Sequence, residues 1–179
     1  MEKSFTNEGD LRDMTTGEQR YEKAKKAESY VEGLIETFHK DWIIVKSPNR
    51  YAKIDCVAYN RREKTIESLI EIKCRNQSMA SMTTELGMRT DIDAAKLEAL
   101  ESISDIMKVP SILYIYLMKD GVVLEVPITD EYGSRMCEVG YKNADAPSSL
   151  NGSFTRKKLA EISIEGSRII KVKGEVTSV

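Results

Sequence analysis

The chain has 179 residues, enough for one compact domain and too few for two. Apolar residues at 41% and charged residues at 31% form an ordinary globular balance, which excludes collagen-like, disordered and membrane-embedded classes. Lys and Arg number 27 against 29 Asp and Glu, a net charge of −2, so any polyanion must be held by local patches or a metal ion. Cys56, Cys74 and Cys137 are odd in number and lack CxxC spacing, which argues against disulfides and a thiolate zinc site. With no apolar leader at Met1 and no membrane-length apolar run, the expectation is a reduced, cytoplasmic protein with no membrane partner.

Residues 1–14 read as a polar, aperiodic arm. Thr15 to Glu18 fits a capping box, and the helix that follows runs to about Phe38 on the stripe Tyr21, Ala24, Ala27, Val31, Leu34, Ile35 and Phe38. A short strand is expected at Trp42–Val45, then strands over 51–59 and 65–74 joined by the charged turn Asn60–Lys64. A polar stretch, 75–89, leads to a second helix from Asp91 to Met107, capped by Thr90 or Asp91 and stopped at Val109-Pro110. Its stripe reads Ile92, Ala95, Ala99, Leu100, Ile103, Ile106 and Met107. Ser111–Met118 is almost continuously apolar, as in a strand buried on both faces, and Lys119-Asp120-Gly121 turns it into Val122–Ile128. Residues 129–154, rich in Gly, Ser, Asn and Pro, read as a surface excursion, and 155–179 as a C-terminal hairpin turning at Glu165–Ser167. The order implies an α/β fold (α+β, one mixed sheet) with helices on the sheet faces and a core over 15–128.

The informative residues are charges that interrupt apolar patterns. Glu28 falls inside the apolar arc of the first helix, and Lys96 lies near the centre of the second helix's stripe. In the strand hairpin, Lys53, Asp55 and Val57 share one face, while Glu67, Leu69, Glu71, Lys73 and Arg75 share another, opposite Ile66, Ser68, Ile70, Ile72 and Cys74. A hairpin centred near Glu63 with an odd loop sets Asp55 opposite Glu71, side chains on the same face. Directly opposed carboxylates repel. A hard divalent cation between them reverses the sign. Any of these charges alone is also what a solvated face or a core-edge ion pair looks like. His39, the only histidine, falls at a helix end, and no Gly-x-Ser-x-Gly elbow or Gly-rich phosphate loop is present.

Asp55, followed by Glu71-Ile72-Lys73 (the only Glu-x-Lys in the chain), resembles the signature of the PD-(D/E)xK nuclease superfamily. The order of elements over residues 16–128 resembles its restriction-endonuclease-like αβββαβ core, followed here by a C-terminal extension. Ile54 stands where the family has proline before the first acid. The resemblance implies a Mg²⁺-dependent hydrolase of DNA phosphodiesters, with Mn²⁺ as substitute, and an endonuclease of phage or prokaryotic type that is structure-selective in some members. Asp55, Glu71 and the backbone carbonyl of Ile72 would hold the metal, Glu28 would complete the site, and Lys73 would handle the nucleophilic water. Lys96, Arg75, Gln77, Arg61 and Arg62 would contact substrate. A homodimer would supply the two sites that cutting both strands of a duplex requires. Three other readings stay open: an inactive nucleic-acid-binding protein of the same fold, a nuclease directed at RNA, and a plain structural domain whose anomalous charges are salt bridges.

Overall fold

The structure, a computed structural model, describes residues 16–48, 52–147, 154–172 and 175–176. The arm at 1–14 and the capping residue Thr15 lie outside them. Helix α1 (Thr16–Phe38) buries Ala27, Val31 and Ile35, four apart on one face, while Ala24 is exposed. Strands β1 (Trp42–Lys46), β2 (Cys56–Asn60) and β3 (Thr65–Arg75) then form an antiparallel meander. The second strand begins at Cys56 rather than at 51, so Asp55 stands just before the ladder.

The β2–β3 turn differs from the expected one in an instructive way. Asn60 pairs with Thr65, so the loop has an even count, Arg61–Lys64. Its geometry comes from Asn60, whose side-chain oxygen accepts from the N–H groups of Arg62 (2.9 Å) and Glu63 (3.1 Å), and from Lys64 at φ 58°. A bulge beyond Ala58 then sets Ser68 against Ala58 but Ile66 against Tyr59. The extra residue restores the register Cys56↔Ile70, and the next position outward sets Asp55 across from Glu71. It also breaks the alternation: Ile66 packs with Leu69, Leu100 and Val109, not with Ile70 as its parity suggested.

A short helix, α2 (Met79–Thr84), precedes strand β4 (Arg89–Asp93) and helix α3 (Ala94–Met107). The expected helix start at Asp91 is therefore wrong. Thr90 and Ile92 are buried between outward Arg89, Asp91 and Asp93, a period of two, and the cap is Asp93, whose carboxylate accepts from Ala95 N–H at 3.0 Å. The stripe of α3 is also rotated from the expected one. Ala94, Leu97, Leu100 and Ser104 face inward, whereas Ile106 is 78% exposed. Buried Ser104 is satisfied by Thr129 Oγ1 at 2.8 Å, which in turn meets Ser111 at 2.7 Å.

Strands β5 (Ser111–Leu117) and β6 (Val122–Thr129) follow, joined through Gly121 at φ 67°. The expected irregular excursion instead contains β7 (Val139–Pro147), paired along its whole length with β8 (Phe154–Ser163). Strands β9 (Arg168–Val172) and β10 (Glu175–Val176) complete the order. Strands β8 and β9 do not form the expected hairpin. The turn between them carries the chain from one sheet to the other.

A mixed seven-stranded sheet runs β1-β2-β3-β5-β6-β9-β10, with β3 and β5 parallel, and a three-stranded sheet runs β4-β8-β7. This is the α+β class that the sequence indicates. Helix α1 covers one face of the large sheet through Val31, Ile35, Ile70, Ile72 and Tyr114. The other face is covered by α3 (Leu97, Leu100) and by the inner face of the small sheet (Ile92, Ala160, Ile162). Among the described residues no helix is long and apolar enough to cross a membrane.

Candidate functional site

The site forms where the free end of the β2–β3 hairpin passes under the start of α3. Glu71 lies in the middle of β3, on the same face as Leu69, and its side chain is fully buried. Asp55 is held across from it by Ile72 N–H, which donates to Asp55 Oδ2 at 3.3 Å. The two carboxyl groups converge on one ammonium, that of Lys96. Two ammonium groups meet them. Lys73, next on the same face of β3, is paired with Glu71 Oε1. Lys96 Nζ is 2.8 Å from both Glu71 oxygens and is also paired with Asp55 Oδ1.

The electrostatics follow from burial and crowding. Burial pushes the Glu71 carboxyl up to about 6, with Lys73 and Lys96 opposing the rise and Asp55 adding to it. Asp55 is also pushed up by burial, but its hydrogen bond with Glu71 and the two lysines outweigh that and hold it below the usual carboxylate range. Burial depresses Lys96, and Glu71 and Asp55 more than restore it, so its ammonium form is favoured. Glu28 is half-buried on α1. Burial and the nearby Asp55 raise its carboxyl, and Lys73 lowers it, so this side chain lies within the field of the same cluster. Among the described residues Glu28 has no direct hydrogen-bond or ion-pair partner.

The expected constellation thus converges in part. Asp55, Glu71, Lys73 and Lys96 come together, and Glu28 lies nearby. Lys96 contacts the carboxylates themselves, and Ile72 contributes its N–H to Asp55 rather than being seen through its carbonyl. Arg61 and Arg62 are not brought to the site. Their turn closes the opposite end of the hairpin, roughly 20 Å along β3 from Glu71 at a strand's rise per residue, and Arg62 faces Asp41 at 3.5 Å. Arg75 and Gln77 lie beyond Lys73 in a cleft of about 530 Å³. There Arg75 donates to the Asp91 carbonyl at 2.5 Å, tying β3 to β4. The outer face of the small sheet forms the cleft's floor, where Lys142 bridges Asp91 and Glu161 at 3.0 Å each.

Among the described residues no three His, Cys, Asp or Glu side chains stand close enough together to hold a metal ion. The donor set at the site is a pair of carboxylates already gathered around one cationic centre. That pair suits Mg²⁺, which binds through one or two carboxylates and keeps several waters. Thiol chemistry is not favoured, because burial pushes the Cys56, Cys74 and Cys137 thiols up.

A second buried charge escaped the sequence reading. Glu125, in the middle of β6, accepts from Tyr114 Oη at 2.8 Å and Arg168 at 2.6 Å, with His39 Nε2 at 3.4 Å. Its signal was a carboxylate inside an otherwise apolar strand, Val122–Ile128. His39, at the end of α1 and stacked on Trp42 with ring centres 3.9 Å apart, is part of this cluster.

Comparison with protein-family models, curated proteins and solved structures finds no match to this chain.

Proposed function

We propose that the protein is a metal-dependent nuclease of PD-(D/E)xK type that hydrolyses DNA phosphodiesters as an endonuclease. The observation that carries this reading is the meeting of the Asp55 and Glu71 carboxylates under two ammonium groups, on the hairpin and helix where the resemblance expects them. Opposed acids are costly in a sheet, and a sequence keeps them where a cation needs them. Asp55 and Glu71 would hold Mg²⁺, or Mn²⁺ in its place. The bound ion would supply an acidified water and counter-charge for the phosphorane-like transition state. Glu28, near enough to feel Asp55, would accept a hydrogen bond from water in the ion's shell. Lys73, on the cleft side of Glu71, would orient the attacking water and face the scissile phosphate.

The charge balance favours one rival. Asp55, Glu71, Lys73 and Lys96 sum to zero, and such a quartet is also a self-sufficient ion-pair network in a nucleic-acid-binding protein without hydrolytic activity. Plasmid nicking separates the two. The nuclease reading expects relaxed and linear products with Mg²⁺, none with EDTA, and a loss of at least about a hundredfold in Asp55→Asn and Lys73→Met. Nicking that survives both substitutions in folded protein would remove the assignment. DNA binding in Ca²⁺ without any cutting in Mg²⁺ would favour the rival, and cleavage of RNA but not DNA would change the substrate.

A further inference from the structure

Lys96 reaches the carboxylates from an unfavourable place. With Asp93 as cap, it is the third residue of α3, where the helix dipole presents its positive end. Acidic side chains are the ones stabilised there, so the helix itself gives no reason for an ammonium at this position. The reason lies outside α3, in three carboxylate oxygens of Asp55 and Glu71 that surround one nitrogen. A compact point charge on a flexible stem is the side-chain group that most nearly stands in for a free cation.

We propose that Lys96 is a resident counter-ion that holds the carboxylate pair together and competes with a divalent cation for the same oxygens. The inference rests on the metal-centre reading above and adds a property to it. The four charges in direct contact already balance, so a divalent ion entering beside Lys96 would leave them with two excess positive charges, of which nearby Glu28 would offset at most one. The excess is relieved when the ammonium swings away or when a phosphodiester brings negative charge with it. The bare protein therefore binds cations weakly, and ion and phosphate load together. The displaced ammonium, on the first turn of α3, is then available to the phosphate rather than to the carboxylates.

The test is Mn²⁺ binding to the full chain without nucleic acid, followed by electron paramagnetic resonance of the unbound ion. Lys96→Met keeps the stem and removes the charge, and should bind Mn²⁺ about tenfold or more tightly than the parent. Lys96→Arg should not gain affinity. An unchanged or weaker Mn²⁺ affinity in Lys96→Met, with its circular dichroism retained, overturns the proposal.

Should Lys96→Met fail to fold, the parent protein gives a second readout. The hydrogen-bonded ammonium of Lys96 should give a ¹H–¹⁵N resonance in EDTA that disappears on saturation with Ca²⁺, and its persistence would overturn the proposal. If neither parent nor Lys96→Met takes up Mn²⁺, this proposal and the metal-centre reading fall together. If Lys96→Met gains affinity while no Mg²⁺-dependent cleavage is found, the counter-ion role stands and the nuclease reading alone fails.

Discussion

Glu125 shows how a single charge is carried inside this sheet. Tyr114 on β5, Glu125 on β6 and Arg168 on β9 sit opposite one another in adjacent strands, so three cross-strand neighbours form one polar row through an apolar layer. Burial pushes the Glu125 carboxyl up, but hydrogen bonds from His39 and Tyr114 and the charge of Arg168 outweigh it, leaving it below its ordinary 4.5. A carboxyl lowered on folding stabilises the protein fully above its unfolded value and loses that contribution as pH falls through the folded value. Glu125→Gln should therefore cost on the order of 2 kcal/mol at neutral pH. In urea unfolding the gap to the parent should narrow as pH drops below about 4.5, and a gap independent of pH would count against the cluster. At this scale much was legible. Glu28 and Lys96 stand out in sequence because each interrupts an apolar pattern, and Glu71 because it opposes Asp55 across the hairpin and opens the Glu-x-Lys string. Their partners were only half legible, since nothing local shows that Lys96 bends to the carboxylates rather than outward.

Helix α3 depends on one side chain for its start. Asp93 closes β4 and caps α3 in the same residue, which puts Lys96 within the helix's first turn. Asp93→Ala should lower stability by about 1 kcal/mol, a fall in melting temperature of roughly 2–4 °C for a chain of this size. Because the first turn would fray, Mn²⁺ binding should also change, whereas a substitution at exposed Ile106 at the far end should leave it unaltered. Reading the sequence as helix from Asp91 failed for a physical reason. The partner that makes Arg89–Asp93 a strand is β8, some seventy residues later (Arg89↔Ser163), and no local propensity announces it. The β2–β3 register was anticipated by a different route from the one the chain takes. An odd loop was expected, and an even turn plus a bulge gives the same alignment of Asp55 with Glu71. Hydrophobic alternation signals which residues share a face, but it does not signal where one extra residue is absorbed.

At the scale of the molecule, the large sheet is enclosed between α1 and a second layer built from α3 and the small sheet. Ile162 of β8 is fully buried where the small sheet meets β5 and β6, so Ile162→Ala should cost about 3 kcal/mol in denaturant unfolding. A cost below about 1 kcal/mol would mean that the small sheet contributes little to the fold. The mixed architecture and the central apolar strand were legible from composition and run length. The second sheet was not, because β7 lacks a regular apolar alternation and its Gly, Asn and Pro content imitates a loop.

The chain leaves β8 at Ser163, turns through Gly166 at φ 75°, and re-enters the large sheet as β9 beside β6. This is the last of four crossings between the sheets, after β3–β4, β4–β5 and β6–β7, so β9 joins the larger sheet only after the smaller has been laid down. A protease that cut this crossing would leave the two layers joined by the three earlier connections, with β9 and β10 held to the larger sheet by strand pairing alone. The fragments should stay associated under native conditions and part in mild denaturant, uncovering the edge of β6.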